Sequence, residues 1–248
     1  MLEGTWILIW TEIGGQLFSK ETIKLHHTKQ PDLGGTMLTT STMRVRANFR
    51  ENRLLQTLLA VYTVLWVALS FGPFDRFDWM LENILTVLFI GILFSTYRIF
   101  PLSDLSYILI FVFMVLHAVG AHYTYAEVPF GYWLKDALHM SRNHFDRIVH
   151  FSFGLLIAYP IRELFLRVAS ARGFWAYYLP LDVTLAFSAV YEIIEMVAAQ
   201  VTNPELGMAY LGTQGDMWDA QKDMGCAAIG AVLSMVITVT VRRIVHKH

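Results

Sequence analysis

Three segments set carboxylates and imidazoles at helical spacings inside otherwise apolar sequence. DRIVHF places Asp146 and His150 four residues apart, and YEIIEMVAAQ places Glu192 and Glu195 three apart. GTQGDMWDAQKDM places Asp216, Asp219 and Asp223 three and four apart. Residues so spaced share one helix face. WMLEN adds Glu82 and Asn83, and LHAVGAH adds His117 and His122. Seven acids at one depth, Glu82 and Asp146 among them, cannot all ionise in close quarters without cations or protons. Arg142, Arg147 and Lys222 offset part of that charge, and a divalent metal would offset more.

The candidate metal ligands are Asp146, His150, Glu192, Glu195, Asp219 and Asp223. Oxygen and imidazole donors suit Mg, Mn, Ca or Zn and do not choose among them. No compact ligand motif such as HExxH is present. His150 and Glu192 are the candidate catalytic groups for proton transfer. Glu82, His122 and Asp216 are expected at the edge of the same pocket.

Plainer readings stand beside these. Asp216 after Gly215 reads as a helix N-cap, and Asp219 as a first-turn acid favoured by the helix dipole. Neither reading covers Asp223, deeper in the helix. His117 and His122 read as ordinary interfacial residues, and Glu82 as an interface marker. Glu192 is the hardest to dismiss, because an unpaired carboxylate well inside an apolar helix is expensive.

The elements that must position these groups are membrane spans. Of 248 residues 55% are hydrophobic and 16% charged, and the mean hydropathy is +0.46. Soluble domains are about 45–50% apolar and roughly 25% charged. The excess is blocked into stretches long enough to cross hydrocarbon as helix. Period-two alternation, the mark of a β-barrel, is absent. The spacing predicts an all-α, polytopic bundle of about six spans, near 54–71, 79–97, 106–122, 148–166, 181–200 and 223–241. Gly72-Pro73, Pro101 and Pro180 serve as helix stops. A net charge of −1 gives no basic field for nucleic acid. The single cysteine, Cys226, excludes an internal disulfide.

Residues 1–43 differ in character and are expected to be a disordered or interfacial extension to the membrane domain at 44–248. Met43, directly before RVRANFRENR, is an alternative start. Arginines cluster before the first span, after the second, at the end of the fourth and after the sixth. The positive-inside rule then places both termini in the cytoplasm. The acidic ends of the helices face outward. The long loop at 123–147 carries an aromatic belt in HYTYAEVPFGYW, and KDALHMSRNHFDR is expected to form a short interfacial helix. After Asp223 the same face runs through Cys226, Ala227, Gly230, Ala231 and Ser234, small residues that let helices approach closely.

ENILTVLFIG, TYRIFPLSDLSY, GAHYTYAEVPFG, RNHFDRIVHFSFGLL and GTQGDMWDAQKDM resemble the YjdF-type bacterial inner-membrane proteins, over roughly residues 48–241. That family implies a location in the bacterial inner membrane and does not by itself point to an activity. The last three spans are also similar to the VanZ-like family, matching at Asp146, His150, Phe151, Glu192, Asp219 and Gly230. Glu195 stands where that family has Gln, and Asp223 where Asn is common, so this site is more acidic. The VanZ-like resemblance implies a role at the cell envelope.

Three functions follow as expectations. The first is an enzyme or binding site for an amphiphilic, lipid-linked envelope molecule, with a divalent metal as cofactor. The second is an ion- or proton-coupled carrier, which the charge-poor inner halves VTLAFSA and AIGAVLSMVI oppose. The third is a non-catalytic membrane protein whose polar cluster holds the bundle together.

Overall fold

The computed structural model describes residues 49–201 and 213–245. Among them a 3-10 turn, Phe49–Glu51, leads into seven α-helices: α1 (Arg53–Leu69), α2 (Arg76–Thr96), α3 (Asp104–His122), α4 (Pro129–Ala137), α5 (Phe145–Arg167), α6 (Trp175–Val201) and α7 (Asp219–Val245). No strand occurs among the described residues. The extension 1–43 lies outside them.

Side-chain caps set several helix starts. Asn52 accepts from the Leu55 N–H at 3.1 Å, and Asp75 accepts from Phe77 and Asp78 at 2.8 Å each. Ser103 caps α3 and is itself held by Glu163 of α5, which accepts from the Ser103 hydroxyl at 2.7 Å and the Ser106 hydroxyl at 2.6 Å. Such caps satisfy N–H groups that a helix end leaves without partners.

Helices α2, α3, α5 and α7 are long and apolar enough to cross a membrane; α1 is a shorter apolar helix of 17 residues. Helix α6 has 27 residues, about 40 Å at 1.5 Å per residue, and carries Asp182, Glu192 and Glu195. Large apolar side chains face outward: Val64, Phe94 and Ile99 are 71%, 78% and 85% exposed. Polar groups face in: Asp78, Glu82, His117, Thr184, Ser188, Asp219 and Asp223 are all buried. An apolar exterior around a polar interior is the arrangement lipid requires, because carboxylates at depth turn toward the bundle.

Helix α5 is the hub, packing on α3, α6 and most closely on α7. Small residues set the α5–α7 distance. A Cβ on Gly154 would collide with the Ala227 carbonyl oxygen, and one on Gly230 with that of Phe151. Ala227 and Ala231 are fully buried in this seam. The small-residue face after Asp223 therefore does make the close contact expected of it.

Three boundaries differ from those expected. Pro180 does not stop a helix; it lies buried inside α6, which begins at Trp175. At this sixth helical position proline forfeits the bond to the Ala176 carbonyl, and α6 continues through it. The short loop helix is α4, opened by Pro129 at its first position, and not KDALHMSRNHFDR. Residues of the latter stretch turn at His139 (φ 52°) before α5 starts. Helix α7 begins at Asp219, so Asp223 is one turn in.

Candidate functional site

The N-terminal ends of α5 and α7 meet beside the C-terminal half of α6, and their acids converge. Asp146, Asp219 and Asp223 each offer a carboxylate oxygen within 4.8 Å of the others. His150, one turn below Asp146, directs Nε2 at Asp146 Oδ1 (3.6 Å) and at Glu192 Oε1 of α6 (3.4 Å). One imidazole is thus flanked by two carboxylates from different helices.

A row of cations lies on the loop side. Arg142 donates through both terminal nitrogens to the two oxygens of Asp219, Nη2 to Oδ2 at 3.2 Å. It also donates to the Thr213 carbonyl at 3.0 Å. Arg147 Nη2 spans Asp216 (2.6 Å) and Asp219 (3.1 Å), while its Nε lies 3.8 Å from Asp223 Oδ1. Lys222 reaches Asp216 at 2.6 Å. The Lys222 ammonium, the Trp218 N–H and Arg147 hold the Asp216 carboxyl well below the usual carboxylate range. Asp216 caps a turn before α7 through the Trp218 N–H at 3.1 Å and also serves as the hub of this ion-pair network.

Contacts to the inner acids are longer: Arg147 Nε lies 3.8 Å from Asp223 Oδ1 and His150 Nε2 3.4 Å from Glu192 Oε1. Asp223 Oδ1 and Glu192 Oε1 are buried and accept no hydrogen bond. Asp223 is 2% exposed. Buried polar atoms almost always have partners; Arg147 Nε, also without a hydrogen bond, faces Asp223 Oδ1, and His150 Nε2 faces Glu192 Oε1, so a proton or cation shared among these groups would complete the set.

Loop geometry is held by Asn143, which is 1% exposed. Its amide donates to the Ala126 and Val128 carbonyls at 2.8 and 3.0 Å, and its Oδ1 accepts from the Phe145 N–H that opens α5. Gln214 clasps its backbone from the other side, Oε1 accepting at 3.1 Å and Nε2 donating at 2.9 Å. This clasp ties the turn before α7 to the start of α5, and so fixes Asp219 against Arg142.

Glu82 of α2 forms a second polar set. It is 1% exposed and accepts from the Tyr191 hydroxyl at 2.8 Å and the Tyr125 hydroxyl at 3.4 Å. Tyr125 and His117 Nδ1 are 2.7 Å apart, and His117 Nε2 lies 2.9 Å from the Thr86 hydroxyl. Burial, then the nearby Glu82 charge, pushes the Tyr125 phenol well above its ordinary range. Tyr191 links the two sets, its ring lying edge-on to His150 with centroids 5.7 Å apart.

Of the residues singled out in the sequence, Asp146, His150, Glu192, Asp219 and Asp223 come together directly. Glu195 follows Glu192 by three residues on the same face of α6. Asp216 forms the rim. Glu82 sits behind Tyr191. His122 is engaged elsewhere, its Nδ1 2.7 Å from the Leu69 carbonyl at the end of α1. Sequence reasoning passed over Tyr191, Tyr125, Asn143 and Gln214. Only Tyr191 carried a local signal, lying four residues before Glu195 and so on its face. A cavity of about 600 Å³ between α6 and α7 opens onto Glu192, Asp216 and Asp219, with Ile193, Met196 and Met224 in its walls.

These features define a polytopic helical membrane protein with a buried acidic and imidazole cluster at one end of its bundle. The chain belongs to the family described as "Predicted membrane protein (DUF2238)", which it matches over residues 54–244. It is 38% identical to the Inner membrane protein YjdF of Escherichia coli (strain K12) over 181 residues, 73% of this chain and 83% of the relative. No solved structure matches it. It is thus a multi-pass inner-membrane protein of the family that the sequence motifs indicated. The VanZ-like similarity is not part of what these matches show.

Proposed function

We propose that the cluster is an outward-facing pocket that holds a divalent cation and binds or processes the polar head of an amphiphilic cell-envelope molecule. The observation that carries this reading is the pair of buried carboxylate oxygens without hydrogen bonds, Asp223 Oδ1 and Glu192 Oε1, beside three aspartates within 4.8 Å. Six carboxylates of α5–α7 and their linking turn gather here against three fixed cations, Arg142, Arg147 and Lys222. Those cations engage mainly Asp216 and Asp219, with Arg147 Nε also 3.8 Å from Asp223, and the inner carboxyls have fewer positive partners.

Asp146, Asp219 and Asp223 would hold the ion, an oxygen-donor set suited to a hard divalent cation. Such an ion supplies Lewis-acid polarisation of a phosphoryl or carbonyl oxygen when bound. His150 holds or moves a proton at Nε2 between Asp146 and Glu192. Arg142 and Arg147 keep Asp219 oriented. The cavity between α6 and α7 suits a molecule with an apolar body and a charged end, because methionine and isoleucine form its walls and carboxylates its floor. The positive-inside pattern supports placing this end outward, with both termini cytoplasmic.

Metal analysis of the purified full chain, with thermal unfolding before and after chelation, tests the reading. Bound metal and a lower melting temperature after chelation are expected, because a ligand that binds only the folded state stabilises it. A metal-free protein indifferent to chelator and to added Mg, Mn, Ca or Zn would sink it. A purely structural role is the second reading, favoured by the Arg142–Asp219 pair and the Asn143–Gln214 clasp. It predicts that same indifference.

A further inference from the structure

The end of the bundle away from the acidic cluster carries a different cavity. Arg162 lies sixteen residues beyond Asp146 on α5, about 24 Å along the helix. It is 4% exposed, yet its Nε and Nη2 have no hydrogen-bond partner. Its guanidinium lies over the Tyr177 ring, 4.5 Å from the centroid. Tyr177 also accepts from Arg242 of α7 at 3.4 Å. Arg162, Arg172, Arg242 and Arg243 line one cavity of about 810 Å³ between α5, α6 and α7. Among the described residues none of these four arginines forms an ion pair with a carboxylate.

Arginine stays charged in proteins. A buried charge without a counterion is costly, and the ring below Arg162 offsets only part of that cost. Arg162, buried without a counterion and joined on one cavity by three exposed arginines, therefore calls for an anion. The start of α6 strengthens the case: Ala176 and Tyr177, in its first turn, line the same cavity, and a helix N-terminus favours negative charge. Guanidinium forks match tetrahedral oxyanions by paired hydrogen bonds. Phe174, which lines the cavity, and its neighbour Trp175 are exposed, as side chains of an interfacial aromatic belt are.

We infer that this cavity is a phosphate-binding site in which Arg162 is the inner ligand and Arg172, Arg242 and Arg243 form the rim. The phosphate is that of an anionic lipid headgroup or of a soluble phosphate. Basic pockets between spans at a membrane face are a known way of holding the former. The site is independent of the acidic cluster and of any metal there.

The test uses the full chain in neutral detergent, and in phosphatidylcholine vesicles with and without phosphatidylglycerol. The readouts are melting temperature and Trp fluorescence. Inorganic phosphate is titrated against chloride at equal ionic strength. Wild type should gain stability from phosphatidylglycerol, from phosphate, or from both, and the pattern names the source. Arg162→Gln should weaken the apparent affinity at least tenfold. The double variant Arg242→Gln/Arg243→Gln, at two exposed positions, should weaken it severalfold and carries the test if Arg162→Gln fails to fold. A wild type indifferent to both anions, or a folded variant that responds as wild type does, overturns the proposal.

Discussion

Arg142 grips both carboxylate oxygens of Asp219, a residue 77 positions later that opens α7. Asp219 is 4% exposed and Arg142 7%. The pair joins the loop before α5 to the start of α7 and fixes where the acidic cluster forms. Replacing one partner leaves the other charge buried. Arg142→Gln is expected to destabilise the chain by about 3 kcal/mol, the low end for breaking a buried pair, since Arg147 still reaches Asp219. Thermal unfolding in detergent reads this; an unchanged melting temperature would mean that the pair contributes nothing.

The isosteric changes Asp223→Asn and Glu192→Gln separate charge from shape. Both side chains keep their volume and lose the charge whose oxygen is unsatisfied. On the proposed function, both variants fold; Asp223→Asn loses bound metal and no longer responds to chelator, whereas Glu192→Gln keeps the metal and alters the proton site at His150. If Asp223→Asn retains wild-type metal content, the ligand assignment is wrong.

Tyr191→Phe removes the stronger of two hydrogen bonds to Glu82, at 2.8 Å, and leaves Tyr125 at 3.4 Å. Leaving a buried acceptor under-satisfied costs about 1–3 kcal/mol. Tyr132→Phe at the exposed pair with Glu127 is the control and should have little effect. Comparing the two melting temperatures decides the matter.

Opposite signs are expected at two helical glycines, Gly154 in the α5–α7 seam and Gly91 on α2. Gly154→Ala drives a methyl into the Ala227 carbonyl and should cost about 1–3 kcal/mol as overpacking. Gly91→Ala meets nothing within 4 Å and should stabilise α2 by about 0.5–1 kcal/mol through helix propensity. Equal responses of the two variants would contradict the seam.

Asp216 gives a pH signature. Its carboxyl is held low by Lys222, the Trp218 N–H and Arg147. A group whose folded pKa is depressed contributes stability above its unfolded value, about 3.9, and loses that contribution as pH falls through the folded value. The gap in melting temperature between wild type and Asp216→Asn should be constant from pH 7 to about pH 5 and narrow below about pH 4. A gap that widens on acidification would contradict the assigned network.

Much of the site was legible because it is built from helix faces. Asp146 and His150, and Asp219 and Asp223, share faces by spacing alone, and burial in lipid turns charged faces inward. The small residues from Ala227 to Ser234 announced the tight α5–α7 approach for the same reason. His122 went astray because a helix end can turn its last side chain to a neighbouring carbonyl, here that of Leu69. Pro180 does not stop α6 because a helix can carry one interior proline, at the loss of one ladder bond, when its neighbours pack around it, and here Pro180 is fully buried.

The sequence by itself determined the membrane class, the helical architecture and the shared depth of the acids. Hydrophobic length and helical period are local properties, written into consecutive residues. Tertiary structure alone decided which groups meet: Arg142 with Asp219, Glu82 with Tyr191 at a separation of 109 residues, and Asn143 with Gln214. It likewise gathered four arginines onto one cavity at the far end. Such pairings depend on how each helix is rotated about its axis and how each loop turns. Those choices are made by packing between helices, which no single stretch of sequence contains.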